Sequence, residues 1–445
     1  MPYIPNTDTD REEMLKTIGA SSFEELVSNI PAKLRLKGPL DLPPALSEWE
    51  ITKELKRLSS KNISSNSHLC FLGGGAYDHF IPSAIDSIVS RPEFYTAYTP
   101  YQAELSQGTL QAMYEFQSCV CELSGMEVSN ASMYDGASAL AEAVIMASNL
   151  NKGFKVLITQ TVHPHYKEVI KTYLTGTHLQ LIEISEKDGI TDLICLTNNL
   201  SNEVSSVVIQ HPNFLGNLEE VNEIEKKIRQ FPDVKYIVSF NPISTGLIDP
   251  PGNYGADIAT CEGQPLGIPL SLGGPYLGIF TTRQSYIRKM PGRMSGKTID
   301  AKGQDGFTLT LQTREQHIKR EKATSNICTN QGLMSLTALL YLSLMGKAGI
   351  KEVAELSYNN AHYLAKQLCT VSGVKLKFNQ EFFNEFVIES SVKTEYLIHF
   401  LEQRGILAGI DLTKFGYNGL LIAVTEKRSK EEMDRFVEGV RMIIK

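Results

Sequence analysis

Residues 240–278 read FNPISTGLIDPPGNYGADIATCEGQPLGIPLSLGGPYLG. Two short runs rich in apolar and branched residues, 236–240 and 258–261, lead into or lie within this stretch and read as strands. The first ends at Asn241 and the second just before Gln264, and a tight turn, Gly273-Gly274-Pro275, follows; the stretch holds no lysine. Runs of the same kind at 155–159, 181–184, 206–210 and 276–281 are separated by helical patterns such as 167–174 and 219–230. Strands alternating with helices predict an α/β fold whose sheet is largely parallel and covered on both faces.

Helical spacing also marks 103–125, with Gly125 placed to stop it, and 138–150. Upstream, 9–30 and 49–58 read as helices of an N-terminal arm interrupted by the proline-rich stretch 39–44, and 59–68 reads as a polar linker. From 283 to about 324 the pattern is loop-rich. An apolar helix is expected at 331–347, too short and too closely flanked by charge to span a bilayer. Then come helix 350–372, strands 374–378 and 385–390, helix 393–403, strand 419–425 and helix 430–444. The expected division is a helical arm and linker (1–68), a large α/β domain (69–330) and a smaller α+β domain (331–445).

The 445 residues include 43 basic and 50 acidic side chains, a net charge of −7 that favours solubility and argues against a general nucleic-acid surface. Seven cysteines, odd in number and without a CxxC pair, read as reduced thiols of a cytosolic protein. The first 15 residues carry acids and prolines where a secretory signal needs a basic and then an apolar run. A cytoplasmic protein with no membrane span is the expectation.

Three constellations could carry chemistry. Asp135-Gly136-Ala137-Ser138 opens a helix with small residues, so Gly136, Ala137 and Ser138 could offer amides to a phosphate; an ordinary N-terminal cap on a core helix is the simpler reading. Thr161-Val-His163-Pro-His165 follows a strand, where ligands sit in open α/β sheets, and the His163 ring could stack on a planar cofactor. Two histidines at i, i+2 without a third ligand do not make a zinc site. The third constellation is the lysine-free rim. Its strand ends have the layout of a pyridoxal phosphate (PLP) pocket, in which one strand end supplies a carboxylate to the ring nitrogen and the other a Schiff-base lysine. Asn241 and Gln264 stand in those places, and an amide can neither hold the ring nitrogen protonated nor form an imine.

Longer runs carry a resemblance. FLGGGAYDH at 71–79, YTPYQ at 98–102 with Glu104 and SQG at 106–108, and MYDGAS at 133–138 are followed by GADI at 255–258, GIPLS at 267–271 and GGPYLG at 273–278. REQHI at 314–318 and REKATSNICTNQ at 320–331 complete the set. In this order they resemble the glycine cleavage system P-protein family, and within it the first of the two chains into which the bacterial enzyme is often split. The resemblance implies the PLP-dependent transferase type I fold, similar to aspartate aminotransferase, with His163, Asn241 and Gln264 at the ring-stacking, carboxylate and lysine positions of a degenerate pocket. It further implies no catalytic residue in this chain alone and an α2β2 assembly in which the second (β) subunit carries PLP and decarboxylates glycine. The aminomethyl group then passes to the lipoyl arm of the H-protein. Tyr95, Tyr98, Tyr101 and Gln102, an aromatic loop beside prolines, are the candidates for the mouth of that site or for the subunit interface.

Two other readings compete. A self-sufficient PLP enzyme related to cysteine desulfurases would need a lysine at the place of Gln264. A structural or regulatory protein that had left the pathway would have no reason to keep the tyrosine loop and the 314–331 run.

Overall fold

The computed structural model describes residues 6–38, 40–312, 315–323, 325, 327 and 329–444. It divides into two compact units, 1–63 and 64–445. The first contains helices Asp8–Ile18, Phe23–Leu26 and Glu48–Ser59, none with a buried residue. Local chemistry sets their ends. Thr7 with Asp10 and Ser47 with Glu50 form capping boxes, and Gly19 closes the first helix at φ 75°.

In the second unit a seven-stranded sheet runs Val128–Ser129, Gly278–Thr282, Ile258–Glu262, Lys235–Phe240, Val204–His211, Lys155–Thr159, Gln180–Ile184. The last five are parallel neighbours, and Gly278–Thr282 is antiparallel to both strands beside it. The sheet is therefore mostly parallel, as expected. Lys235–Phe240 is buried along its whole length. Tyr236 and Val238 join Leu157, Val207 and Ile209 in one core, while Ile237 joins Val156, Ile158 and Val208 in another on the opposite face. That alternation is why the strands read as continuous apolar runs. Helix Gly136–Ser148 covers the second face; helices Gln107–Ser124 and Gly332–Leu368 cover the first. Gly125, the expected stop, caps Gln107–Ser124 at φ 66°.

The segment expected to be loop-rich contains a hairpin, Met294–Ile299 paired with Asp305–Thr310. Only three of its residues, Met294, Ser295 and Leu309, are buried. Little apolar alternation was there to be read. Thr313, Arg314, Thr324, Asn326 and Cys328, which belong to or adjoin the motif-rich 314–331 run, lie outside the described residues.

The smaller module has an antiparallel sheet in the order Val374–Leu376, Glu385–Ser390, Leu420–Ala423, Ile410–Asp411, backed by helices Thr394–Glu402 and Lys430–Ile444. Leu69–Cys70 pairs with Ile406–Leu407, so the chain begins its compact unit against this module. The two helices expected on either side of residue 348 run together as Gly332–Leu368 and part at Gly346 (φ 58°, ψ −175°), where the backbone leaves the helical region. Leu336, Leu339 and Tyr341 before the break and Val353 after it are buried in the sheet core, and the last turns bury Ala361, Leu364 and Leu368 in the smaller module. Packing thus changes owner inside the helix, between Ala354 and Ala361. This helix has the length and hydropathy of a membrane span, but the break and these two cores mark it as a packed core helix.

At Gly346 the backbone lies where essentially only glycine goes, yet a Cβ there would meet open space. Gly346→Ala should therefore cost about 1–3 kcal/mol through backbone strain alone, read as a lowered urea midpoint at unchanged m-value. An unchanged midpoint would show that the break does not depend on glycine.

Candidate functional site

Strand order reverses between Lys155–Thr159 and Val204–His211, and a crevice forms at the carboxyl ends beside that reversal. His163, Gln210, Asn241, Glu262 and Glu385 are among its walls. The sheet thus brings His163 and Asn241 together from strand ends far apart in sequence. The cavity they enclose measures about 30 Å³. Small-molecule pockets run to roughly 300 Å³ and more, so this one has room for little beyond a water.

Hydrogen bonds explain the closure. Gln264, 2% exposed, accepts from Tyr77 N–H at 2.8 Å through Oε1 and donates through Nε2 to Tyr77 O at 3.0 Å and Ile268 O at 2.8 Å. Asn241 turns its Oδ1 back to the Ile243 amide at 2.9 Å. His163 Nε2 lies 2.8 Å from Gly74 O, while Nδ1 receives the His165 amide at 3.1 Å. That pair of contacts fixes the neutral tautomer with its proton on Nε2, and burial holds the ring's pKa down at about 4. The ring stacks on Tyr166, centroids 4.7 Å apart and planes 19° from parallel.

The Asp135–Ser138 turn does open a helix, Gly136–Ser148, and the amides of Gly136 and Ser138 have acceptors within the chain. Ser138 N–H goes to Asp135 Oδ1 at 2.7 Å in a capping box, and Gly136 N–H to Glu262 Oε2 at 3.0 Å; Ala137 lies between them in the first turn. Glu262 sits at the end of Ile258–Glu262, one residue beyond the expected strand. Glu385 reaches in from the smaller module and accepts from Tyr77 O–H at 2.6 Å and Gly74 N–H at 2.7 Å. Gly73 is obligatory here, because any Cβ would collide with the Glu385 carboxylate. Burial raises the pKa of both Glu262 and Glu385 to about 7. With no lysine among its walls, an amide (Asn241) rather than a carboxylate at the end of strand Lys235–Phe240, and this volume, the residues present do not fit PLP.

The tyrosine loop lies at a different cavity, of about 150 Å³, walled by Tyr95, Tyr98, Thr99, Arg293 and Asn330 among others. Tyr95, Tyr98 and Tyr101 are 67%, 81% and 57% exposed, and Gln102 is exposed. Beneath them Arg293 is buried at 3% exposure. It donates to Thr99 Oγ1 at 3.1 Å and Tyr101 Oη at 3.2 Å, and its Nε lies 3.8 Å from Glu315 Oε2. Among the described residues, no group of three or more His, Cys, Asp or Glu is placed to hold a metal. Sequence reasoning missed Glu262, Glu385, Tyr166 and Arg293. Glu262, Glu385 and Arg293 act on partners remote in the chain, and their one local signal is the charge itself, standing in or beside an apolar strand, whereas Tyr166 stacks on His163 three positions away and reads as an ordinary helix residue.

Two outcomes follow. Glu385 is more basic folded than unfolded, so its protonated form favours the fold: that stability is full below about pH 4.5 and is lost as pH rises to about 7. Across this window wild-type unfolding free energy should fall more steeply, or rise less, with pH than that of Glu385→Gln; parallel curves would refute the assignment. Arg293→Ala should speed hydrogen exchange in residues 95–102 and lower stability by about 2 kcal/mol, from the loss of charged hydrogen bonds. Unaltered exchange would mean that the loop is fastened elsewhere.

Comparison with known proteins places this geometry. The sequence profile described as "Glycine cleavage system P-protein" matches residues 1–439. A probable glycine dehydrogenase (decarboxylating) subunit 1 of Chlorobium limicola is 55% identical over 441 residues, covering 99% of each chain. The protein of the same description from Chlorobium phaeobacteroides is 54% identical over 439 residues, covering 98% of this chain and 99% of the relative. Among solved structures, glycine decarboxylase (P-protein) of the glycine cleavage system, in inhibitor-bound form, superposes with TM-score 0.92 at 40% identity and full coverage of both chains. A NifS-like protein at 13% identity, with TM-score 0.63 over 84% of this chain and 99% of its own, shares the fold alone. The fold is thus the PLP-dependent transferase type I fold, and the chain belongs to the glycine cleavage system P-protein family.

Proposed function

We propose that this chain is the non-anchoring (α) subunit of a split, cytoplasmic P-protein. In this reading it pairs with a second (β) subunit as an α2β2 heterotetramer. PLP sits on the partner, where it supplies the electron sink for glycine decarboxylation, and the aminomethyl group goes to the lipoyl arm of the H-protein. The observation that carries the reading is Gln264. Where a Schiff-base lysine would stand, an amide has both donors and its oxygen engaged by the main chain, so nothing there can hold a carbonyl cofactor.

What remains for this chain is surface. Tyr95, Tyr98 and Tyr101 project from a loop fastened to a buried arginine, a combination suited to presenting rigid aromatic groups to a partner or to the mouth of its site. Obligate interfaces of the size expected here, above about 2,000 Å², are built around such groups.

Incubated with PLP, the isolated chain should show no cofactor absorption band and, after borohydride, no pyridoxyl-labelled lysine; one stoichiometric labelled lysine would overturn the non-anchoring assignment. Gln264→Lys alone should not decarboxylate glycine, because a lysine without an oriented cofactor has nothing to act on. In complexes co-expressed with the second subunit and isolated by size, Tyr98→Ala and Tyr101→Ala should lower glycine turnover per complex. Lost assembly with unchanged turnover would make the loop interface packing only. A full-length complex without glycine turnover, or no complex at all, would favour a structural or regulatory protein.

A further inference from the structure

The Glu262 carboxylate is seated on three amides at once. Oε2 accepts Gly136 N–H at 3.0 Å, and Oε1 accepts Gln264 N–H and Leu277 N–H, each at 3.0 Å. The three donors come from separate places: the first turn of helix Gly136–Ser148, the rim after strand Ile258–Glu262, and the residue before strand Gly278–Thr282. Glu262 is itself 8% exposed, and no cation is among the groups that shift its titration. A buried anion held by converging amides at a helix N-terminus is the arrangement proteins use for phosphate groups. Here the anion is part of the chain.

The neighbouring space is filled in the same way. His163 stacks on Tyr166, and a Cβ placed on Gly136 would meet the Tyr166 hydroxyl at 2.7 Å and the Glu262 amide nitrogen at 2.9 Å. An aromatic ring on the histidine and an anion on the helix amides together fill the crevice to the 30 Å³ that remain.

We propose that Glu262 and Tyr166 stand in, from within the chain, for the anion and the aromatic ring of a phosphorylated aromatic ligand, and that Glu262 is the plug whose removal turns this crevice into a phosphate-binding site. The proposal rests on the non-anchoring reading but adds a cause to it. Loss of the lysine alone would leave an anion cup open to phosphate esters, whereas an internal carboxylate closes the cup and keeps the chain from competing with its partner for cofactor. Tyr166 closes the space beside it.

The test uses the full chain, with inorganic phosphate as probe and chloride at matched ionic strength as reference. Wild type should show the same Tm in both salts, and so should Glu262→Gln, whose side chain still fills the cup. Glu262→Ala empties the three amides, so its Tm should be lower in chloride and rise by several degrees in phosphate, because a ligand that binds only the folded state stabilises it. If Glu262→Ala does not fold in chloride, Glu262→Ser, which returns one hydroxyl to the cup, is read in the same comparison. Recovery of folding by phosphate and not by chloride supports the proposal, and a variant unfolded in both salts counts against it. A second probe, pyridoxamine phosphate, cannot form an imine; it should bind Glu262→Ala/Tyr166→Gly and leave wild type untouched. An equal phosphate response in wild type, a folded Glu262→Ala with none, or no pyridoxamine phosphate binding by the double variant overturns the proposal. Those results differ from the failure of the parent reading, which would appear as PLP fixed to a lysine of wild type.

Discussion

At the carboxyl end of the sheet, backbone groups that cannot reach water have to find partners, and the side chains that answer them hold the molecule together there. Gln264 binds both main-chain groups of Tyr77. Tyr77 passes its hydroxyl to Glu385, and Glu385 takes the Gly74 amide. A strand end of the large sheet, a glycine-rich segment and the start of a central strand of the smaller module are thereby joined by buried hydrogen bonds. Removing one member would leave the others unsatisfied in low dielectric, which is costlier than the bond itself is worth. In a cofactor-dependent relative of this fold, a ligand can satisfy groups at such a crevice. Here side chains do it, and a small cavity follows.

Two buried carboxylates are the electrostatic expression of that arrangement. Glu262 and Glu385 are met by amides and a phenol rather than by cations, so their charge is solvated by dipoles alone and their proton affinity rises. The imidazole beside them shifts the other way for the same reason, since burial disfavours its charged form. In all three groups burial therefore works against the charged form, and at Glu262 the three amides work the other way.

Much of the sheet was legible because its strands are buried on both faces. Residues 155–159, 236–240 and 258–261 announce themselves by composition, and the strand-end positions of Asn241 and Gln264 follow from where the last two runs stop. The Met294–Ile299 hairpin was not legible, because its outer face is solvated and it leans on helix Gln107–Ser124 through Gln107 and Gln117 as well as through Leu309 and Phe307, too few apolar residues to mark a strand period. In the site, His163, Asn241 and Gln264 could be picked out as residue types standing at strand ends. Glu262 could not, for its three partners are backbone amides, two of them 126 and 15 positions away, and amides leave no mark in a sequence. Arg293 escaped notice in the same way, bonded to Thr99 and Tyr101 across more than 190 residues.

The long helix Gly332–Leu368 has one consequence for how the second unit comes apart. Its stretch beyond Gly346 is embedded in both cores, Ile350, Val353 and Ala354 in one and Ala361, Leu364 and Leu368 in the other, so neither core can be lost without stripping apolar side chains from a helix the other still grips. Leu69–Cys70 adds a second tie, because the segment that leads into the glycine-rich turn is itself a strand against the smaller module. The two modules are distinct in architecture but share this helix and this strand pair, which couples the loss of one to the loss of the other. A fragment cut between them would carry an unburied half-helix, the kind of surface on which truncated chains aggregate.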